Sequence, residues 1–484
     1  MRGVIRDQEL LRYVSNLDRD VYTIMNLPEE VVAVIFAYVS RSPKSFRDNL
    51  HDLLGDGELA LDEGAAPKNR DVFASASEKA RRFHEKWVVG YGHSSVAEHG
   101  AVHVGIENIS RLASAALELS NPFLSFTEYS QRYQRPQRDR FVVPEEIRPW
   151  PVLAERFEGV QHLSFDAYER IEEGLFAHLA RFHPPKSDED DEGYRKRIGR
   201  LGFEDARYIL SLAVTTSLGM TANGRALRDG LVQLLADPTE EVRRLARDIE
   251  REAGQVLPTL LRHVEAPPKD SPVQGEEGLD AAHEAVTLLD YTGRGAEDAR
   301  GYARDRMLSL WGQARGKGLA PSDPDAAYET AFHVGRPYDP LPAEADHVSY
   351  TFRILVSEAN WHQFLRHSRR IAFSAAPPSV GYGFVVPPLV RQAGLEPLFR
   401  ATLGAAEALY RDVFLVSPTA ARYVVTNAHR RLITATFSLK ELAHLVRVRE
   451  AENAQWDIRA TVEALVRAQE EVHPGLLDPL VGKS

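Results

Sequence analysis

The chain has 484 residues, with 59 Lys and Arg against 70 Asp and Glu, so its formal charge is −11, and it contains no cysteine. The length suggests more than one domain, and the lack of thiols excludes disulfides, Cys-ligated zinc, iron–sulfur clusters and a thiolate nucleophile. The negative charge argues against a general nucleic-acid or anionic-membrane binder, and no apolar run reaches the roughly 18 residues of a membrane span. The first residues resemble no signal peptide, so we expect a cytoplasmic protein.

The first half of the chain opens with short strand and helix signals. Residues 20–24 (DVYTI) predict a strand, after which Asn26 and Pro28 open a helix. Alternating apolar and polar residues predict a further strand at 99–106. The acidic, proline-flanked run that begins at residue 183 predicts a solvated loop insertion at about 183–199. Residues 207–258 have helical periodicity almost throughout.

The second half repeats this order. A polar stretch at 266–278 (APPKDSPVQGEEG) is typical of a linker. Strands are predicted at 285–290 and 348–355, and residues 422–474 have helical periodicity. We therefore expect an α+β protein with a first domain at 1–268 and a second at 269–484, each an antiparallel sheet packed against long helices.

Matching short segments indicate that the chain contains two copies of one domain. The tetrapeptide FVVP at 141–144 recurs at 384–387, and the tripeptide ARY at 206–208 recurs at 421–423. Arg207 lies 51 residues before Pro258, and Arg422 lies 52 residues before Pro474. One apolar tetrapeptide recurs by chance, but several matches in one order with one spacing favour a duplication.

Two polar clusters of the first half could carry chemistry. Residues 90–99 (GYGHSSVAEH) offer two imidazoles, a carboxylate and hydroxyls, which suit a polar or metal site or simply a structural turn. The histidine spacing is not that of a zinc-protease helix. Residues 125–133 (SFTEYSQRY) combine hydroxyls with a guanidinium, which suits recognition of a phosphate and a polar ring. A polar loop end with an inward tyrosine explains the second cluster equally well.

Two basic clusters of the second half leave similar alternatives. Residues 361–370 (WHQFLRHSRR) are basic within an acidic chain and could form an anion pocket or a solvated helix face. Residues 444–449 (HLVRVR) and 454–459 (AQWDIR) alternate apolar residues with arginines. Those arginines could bind a ligand or form surface ion pairs.

Together the four clusters resemble the flavin-dependent thymidylate synthase (ThyX) family, which carries HxSxxEH, RHR, SxRY, NxR and AQxEIR motifs in this order. The first half keeps HSSVAEH (93–99), SQRY (130–133), Arg207 and NGR (223–225), but has SNP at 120–122 in place of RHR. The second half keeps Arg366-His367, Arg422, His444, Arg449 and AQWDIR, but lacks the SxRY and NxR segments. The two halves have thus lost complementary parts of the motif set.

The resemblance implies roles residue by residue. Arg449 is implied as the catalytic residue beside the uracil ring. The implied substrate-binding residues are Glu128, Ser130, Arg132, Arg207, Gln363, Arg366 and Arg422. The implied cofactor-binding residues are His93, Ser95, Asn223, Arg225, Arg366, His367, Arg369 and His444. No metal is implied.

The same resemblance implies reductive methylation of dUMP to dTMP, with FAD as cofactor and with NADPH and methylenetetrahydrofolate as co-substrates. Members of the family are homotetramers with sites shared between subunits. A two-copy chain would then form a homodimer that acts as a pseudo-tetramer, with Ser130 and Arg132 of one copy joined to Arg366, His367 and Arg449 of the other. The alternatives are a degenerate homologue that binds flavin or a pyrimidine nucleotide without this activity, or one that acts on another uridine substrate.

Overall fold

The computed structural model describes residues 10–19, 22–29, 31–33, 36, 47–48, 50, 94–132, 134–187, 189–261, 264–266, 285–316, 321–336, 339–450 and 454–482. The chain forms two compact units. The first unit comprises Met1–Tyr129 and Thr215–Ser271, and the second comprises Ser130–Val214 and Pro272–Ser484. The compact units do not follow the order of the repeats, because residues 130–214 of the first half belong to the second unit. The boundary at residue 269 stays a prediction about the repeats.

The described part of the chain contains strands and helices in the following order. The strands are β1 (Ala101–Ser110), β2 (Ser125–Glu128), β3 (Thr215–Asn223), β4 (Val286–Tyr291), β5 (Ser349–Ser357), β6 (Ala372–Ala375) and β7 (Arg430–Ser438). The helices are α1 (Arg111–Ser120), α2 (Pro151–Ala180), α3 (Asp191–Ala206), α4 (Gly224–Leu235), α5 (Glu240–Ala253), α6 (Ala299–Ala314), α7 (Pro324–Phe332), α8 (Glu358–Phe364), α9 (Pro388–Gln392), α10 (Glu396–Val416), α11 (Pro418–Ala421), α12 (Leu439–Arg449), α13 (Trp456–Glu470) and α14 (Asp478–Val481). Short 3₁₀ helices lie at Ser94–Glu98, Glu145–Ile147, Arg207–Ile209, Ala343–His347 and Leu365–His367.

Each unit is built on one antiparallel sheet. Among the described residues, the sheet of the first unit has three strands in the order β1-β3-β2, and that of the second has four in the order β4-β5-β7-β6. Helices α1, α4 and α5 share the apolar core of the first unit with its sheet. These sheets and helices confirm the expected α+β class, and the strands predicted near 99–106, 285–290 and 348–355 are present as β1, β4 and β5.

Strands β3 and β7 contradict the helical runs predicted at 207–258 and 422–474. Strands β3 and β7 lie inside these runs, each directly before a helix. In β7, Arg431, Ile433, Ala435 and Phe437 are buried and their neighbours are not. That alternation has the period of a strand with one covered face, and the helices that follow obscure it when the segment is read as a whole.

Two further expectations differ from the structure. The predicted loop at 183–199 ends early, because Asp190 accepts a hydrogen bond from Gly193 N at 2.8 Å and begins α3 at Asp191. The acidic residues of this run therefore stabilise the first turn of a helix. The strand expected at 20–24 is reduced to one bridge between Val14 and Ile24, and Asp20 and Val21 lie outside the described residues.

The repeated segments meet within the second unit around a local two-fold axis. Ser211 bridges to Thr426, its counterpart 215 positions later. Leu212 N donates to Val425 O at 2.8 Å, and Asn427 N donates to Leu210 O at 2.8 Å. Leu212 and Leu210 are the repeat counterparts of Asn427 and Val425, so the two bonds are equivalent. Val142 N likewise donates to Ala213 O and Val385 N to Ala428 O, both at 2.9 Å, which places the two FVVP segments in equivalent positions.

The core of the second unit draws on both halves of the sequence. Buried residues of α2 and α3, including Phe165, Ile171 and Phe203, share one cluster with Phe399 and Leu403 of α10. Burying such aliphatic and aromatic side chains is the main driving force for the association of these segments. Among the described helices, none is both long enough and apolar enough to cross a membrane.

Candidate functional site

The second unit contains most of the residues that the motifs single out. Ser130, Arg132, Arg207, Gln363, Arg366, His367, Arg369, Arg422, His444 and Arg449 lie in it, whereas Ser95, Glu128, Asn223 and Arg225 lie in the first unit. His93 lies outside the described residues.

The amide of Gln455 joins the two halves of the sequence at this site. Gln455 precedes α13, and 3% of its surface is exposed. Its Oε1 accepts hydrogen bonds from Arg207 Nη2 at 3.1 Å and from Gln363 Nε2 at 2.5 Å. Its Nε2 donates to the hydroxyl of Tyr208 at 3.0 Å. One buried side chain thus fixes an arginine of the first half against a glutamine of the second. We call Gln455 with Arg207, Gln363 and Tyr208 the Gln455 clamp.

Arg207 is held from its other side by the end of α3. Its Nε donates to Glu204 O at 3.2 Å, and the carboxylate of Glu204 lies 3.5 Å from Arg132 Nη2. Asn427 donates from Nδ2 to Arg207 O at 2.9 Å and to Gln131 Oε1 at 3.3 Å. These bonds connect the SxRY segment to the Arg207 turn, so Arg132 and Arg207 are neighbours in the fold.

Arg449 stands at the C-terminal end of α12, against the same Gln363. Its Nη2 donates to Gln363 O at 3.3 Å and to His367 Nε2 at 3.1 Å. His367 Nδ1 lies 3.3 Å from Glu441 Oε1, and the side chains of His367 and Glu441 are 9% and 2% exposed. Because Nε2 accepts from Arg449, the neutral ring carries its proton on Nδ1 and donates it to Glu441.

The environment of His367 favours this neutral form. Burial lowers the pKa of His367, and the nearby Arg449 guanidinium lowers it further, while the Glu441 hydrogen bond acts in the opposite direction. The ring of His444 lies edge-on to that of His367, with centroids 5.7 Å apart. His367 therefore serves as an acceptor that orients Arg449, next to a second imidazole.

His367, Glu441 and His444 have the side-chain types that can bind a metal ion. Ligand atoms of His367, Glu441 and His444 lie within 4.8 Å of one another. However, both ring nitrogens of His367 are engaged, one by the cationic Arg449 and the other by Glu441. A guanidinium in direct contact with a proposed ligand opposes a metal cation, so the cluster suits an anionic or polar group better.

The buried carboxylate of Asp457 binds Tyr208 of the Gln455 clamp. Asp457 Oδ2 accepts from Tyr208 Oη at 2.9 Å and from Ser357 Oγ at 2.5 Å. Burial raises the pKa of Asp457, and these two hydrogen bonds oppose that rise. Burial also raises the pKa of Tyr208, so its hydroxyl remains a donor. The residue before Asp457, Trp456, stacks on Tyr208 and donates to Asp205 Oδ1 at 2.8 Å.

Sequence reasoning missed Tyr208, Gln455 and Asp457 as functional candidates. A repeat comparison gives one signal for Asp457, since Glu241 has the same environment in the first unit. Glu241 accepts from Ser110 Oγ at 2.7 Å, just as Asp457 accepts from Ser357 Oγ. Ser110 and Ser357 each end a strand and cap the helix that follows. A buried acid that binds the strand-end serine is thus common to both copies.

The remaining predicted residues of the second unit are Ser130, Arg366, Arg369 and Arg422. Arg366 and Arg369 are exposed near His367, within the turn that follows α8. Ser130 is half-buried, and its Oγ accepts from Arg132 N at 3.3 Å. Arg422 follows α11 at the position equivalent to Arg207.

The predicted residues of the first unit have structural partners. Glu128 is buried and accepts from Arg111 Nη1 at 2.6 Å and from Ser114 Oγ at 2.9 Å. Asn223 caps α4 by accepting from Ala226 N at 2.8 Å. Arg225 pairs with Glu98 at 2.6 Å, with both side chains 48% exposed. Ser95 lies in the 3₁₀ helix Ser94–Glu98.

Two segments of the chain match a known protein family. Residues 23–259 and 342–475 match the family described as thymidylate synthase complementing protein. A UPF0159 protein of Thermoplasma acidophilum is 24% identical over 84% of this chain and 89% of its own length. A UPF0159 protein of Chlamydia pneumoniae is 22% identical over 96% of this chain and 92% of its own. A flavin-dependent thymidylate synthase of Thermococcus onnurineus is 29% identical over 33% of this chain and 56% of its own.

Proposed function

The chain belongs to the thymidylate synthase complementing protein family, and on that premise we propose that it methylates dUMP reductively to dTMP with methylenetetrahydrofolate, FAD and NADPH. One observation carries the proposal. A continuous set of hydrogen bonds in the second unit joins Arg207 to Arg449 through Gln455 and Gln363. Motif residues that are divided between the two halves of the sequence are therefore neighbours within one chain.

The residues of the second unit fit a nucleotide substrate. Arg132 and Arg207 converge on Glu204, which gives two guanidinium groups suited to a phosphate and a sugar hydroxyl. Gln363 Oε1 is buried and has no hydrogen-bond partner among the described residues. A buried amide oxygen of this kind favours a ligand N–H donor, such as the N3 position of a uracil ring.

In this proposal Arg449 acts on charge that develops on the pyrimidine. His367 Nε2 and Gln363 O fix its guanidinium at 3.1 and 3.3 Å. A prepositioned cation in a partly dry site stabilises the transition state without reorganisation at the moment of reaction. The chain has no cysteine to activate C5 of the ring by thiolate addition. The positioning of Arg449 is therefore the protein's main contribution to the chemistry.

The cofactor-facing side of the cluster also fits FAD. Arg366 and Arg369 are exposed cations beside His367, and His444 adds a second imidazole edge. Arg366, Arg369, His367 and His444 would hold the dinucleotide through its diphosphate and ring edges. When bound, FAD supplies the hydride that reduces the transferred carbon to a methyl group.

Tritium release from C5-labelled dUMP, in the presence of NADPH and methylenetetrahydrofolate, tests the activity. Arg449→Ala and Arg132→Ala should each lower turnover at least about hundredfold, since removing one preorganised donor costs that much in comparable sites. Arg391→Ala, at an exposed arginine of the same unit, is the control and should leave turnover unchanged. His444→Ala should lower FAD occupancy, measured by flavin absorbance per chain. Turnover at the control level in either arginine variant would overturn the assignment.

The alternative of a non-catalytic nucleotide-binding homologue makes a different prediction. Such a protein would bind dUMP, and Arg132→Ala would weaken that binding, but no tritium would be released at any NADPH concentration. We favour the enzyme because Arg449 is ordered by two partners and not left as a surface charge.

A further inference from the structure

A cavity of about 280 Å³ lies in the second unit, outside the Gln455 clamp. It is lined by α13 and by the start of β4, the end of β5 and the start of β7, which lie side by side at one end of the antiparallel sheet. The cavity exists because α13 presents Ala460 and Ala464 to it, one turn apart, where larger side chains would fill the space. A volume near the lower end of small-molecule sites suits a small metabolite and excludes a dinucleotide.

The walls of the cavity are apolar except at one corner. Ala285, Val286, Leu355 and Val385 provide the apolar surface. The polar corner consists of Ser357, Arg430, Asp457 and Thr461. A ligand that fills the space therefore has a compact aliphatic body and polar groups on one side only.

The polar corner carries two opposite charges. Ser357 and Arg430 are direct partners on β5 and β7, so their side chains lie on the same face of the sheet. Ser357 also donates to Asp457 Oδ2. Arg430 and Asp457 are thus both neighbours of Ser357, yet no ion pair of Arg430 with any carboxylate occurs among the described residues.

Both charged groups retain capacity for a ligand. Arg430 is half-buried, and a guanidinium in such a position is stabilised by a carboxylate that it can bind with two N–H groups. Among the described residues, Asp457 Oδ2 accepts two hydrogen bonds, whereas Oδ1 accepts one, from Asn360 Nδ2 at 3.3 Å. Each carboxylate oxygen has two acceptor positions, so Oδ1 can take a further donor.

We propose that this cavity binds a small aliphatic α-amino acid, with its carboxylate on Arg430, its ammonium group on Asp457 Oδ1 and its side chain against Val286, Leu355 and Val385. An acid without the ammonium group would face Asp457 uncompensated, and an amine without the carboxylate would face Arg430 uncompensated. The inference does not rest on the thymidylate reaction, and it survives if that activity is absent.

Isothermal titration of the full chain with L-valine tests the proposal, with L-alanine and L-leucine as size variants. Isovalerate, which lacks the ammonium group, and isobutylamine, which lacks the carboxylate, should each bind at least about tenfold more weakly than L-valine, since one charge-assisted hydrogen bond is worth at least that factor. Equal binding of isovalerate and L-valine would overturn the assignment to an amino acid.

Variants locate the site. Arg430→Gln should weaken L-valine binding at least about tenfold, and Ala460→Leu should do the same by filling the cavity while both charges remain. Arg391→Gln, at an exposed arginine of the same unit, is the matched control and should bind as the unchanged protein does. Unchanged affinity in both Arg430→Gln and Ala460→Leu, or no binding of any of the three amino acids to the unchanged protein, would refute the proposal.

Discussion

Replacing Gln455 by alanine removes the side chain that joins Arg207, Gln363 and Tyr208. Three hydrogen bonds are lost, of which the bond from Arg207 has a charged donor. A net value of about 1 kcal/mol for each neutral bond, and somewhat more for the charged one, predicts a loss of about 3 kcal/mol in the free energy of unfolding. Alanine also leaves a cavity, so the total loss should be larger still.

Gln455→Met separates the two causes, because methionine keeps the volume of glutamine and removes its hydrogen bonds. We expect Gln455→Met to lose about 3 kcal/mol and Gln455→Ala to lose more. At roughly 2 °C per kcal/mol for a unit of this size, the methionine variant should lower the Tm by about 6 °C in differential scanning fluorimetry.

The control for both variants is Gln392→Ala, because Gln392 is an exposed glutamine of the second unit. Exposed substitutions usually change stability by less than about 0.5 kcal/mol, so its Tm should stay within about 1 °C of the unchanged protein. If Gln455→Met melted like Gln392→Ala, the hydrogen bonds of the Gln455 clamp would not stabilise the fold and our reasoning about them would be wrong.

Three further predictions follow from other contacts. Tyr208→Phe removes one bond to Asp457 and one to Gln455 and should cost about 2 kcal/mol in urea denaturation, whereas Tyr302→Phe at an exposed tyrosine should cost nothing measurable. Burial raises the pKa of Asp205 to about 6, above the value of 3.8 for the unfolded chain. Between these two values the folded protein binds a proton at Asp205 that the unfolded chain releases. The free energy of unfolding therefore falls as the pH rises from about 4 to 6. Asp205→Asn should therefore gain stability relative to the unchanged protein between pH 4.5 and 7, and a difference that does not depend on pH would contradict this. Glu128→Gln leaves Arg111 buried without its counter-charge and should cost about 3 kcal/mol, while Glu98→Gln, at an exposed pair, should cost less than about 1 kcal/mol; equal losses would refute the distinction.

The sequence predicts the fold class and strands β1, β4 and β5, but not strands β3 and β7. Strands β1, β3, β5 and β7 all run directly into a helix, but β3 and β7 lie inside the segments 207–258 and 422–474, in which the helical period dominates. Asn223 and Ser438 are both the last residue of a strand and the cap of a helix, so no loop separates the two periods. A reading of the whole segment then assigns the longer, helical pattern to all of it.

The motifs indicate some of the residues that lie together in the second unit, but not how these residues are held. Arg207, Gln363 and Arg449 are indicated by their family pattern, and the structure places them within one hydrogen-bonded set. Tyr208 and Asp457 could not be paired from sequence, because their hydrogen bond joins positions 249 residues apart. Such contacts form because residues 130–214, from the first half of the sequence, fold into the second unit. No local sequence pattern indicates this.

Because residues 130–214 belong to the second unit, the two copies depend on each other in evolution. A fragment that starts at residue 269 would lack Arg207 and Tyr208, and one that ends at residue 268 would lack Gln455. Neither half alone can form the Gln455 clamp, so a gene fission near residue 269 would divide its residues between two chains. Fusion fixes the copies at a one-to-one ratio, which lets each half lose motifs that the other retains. Each half of the chain then depends on the motif residues that the other half has kept.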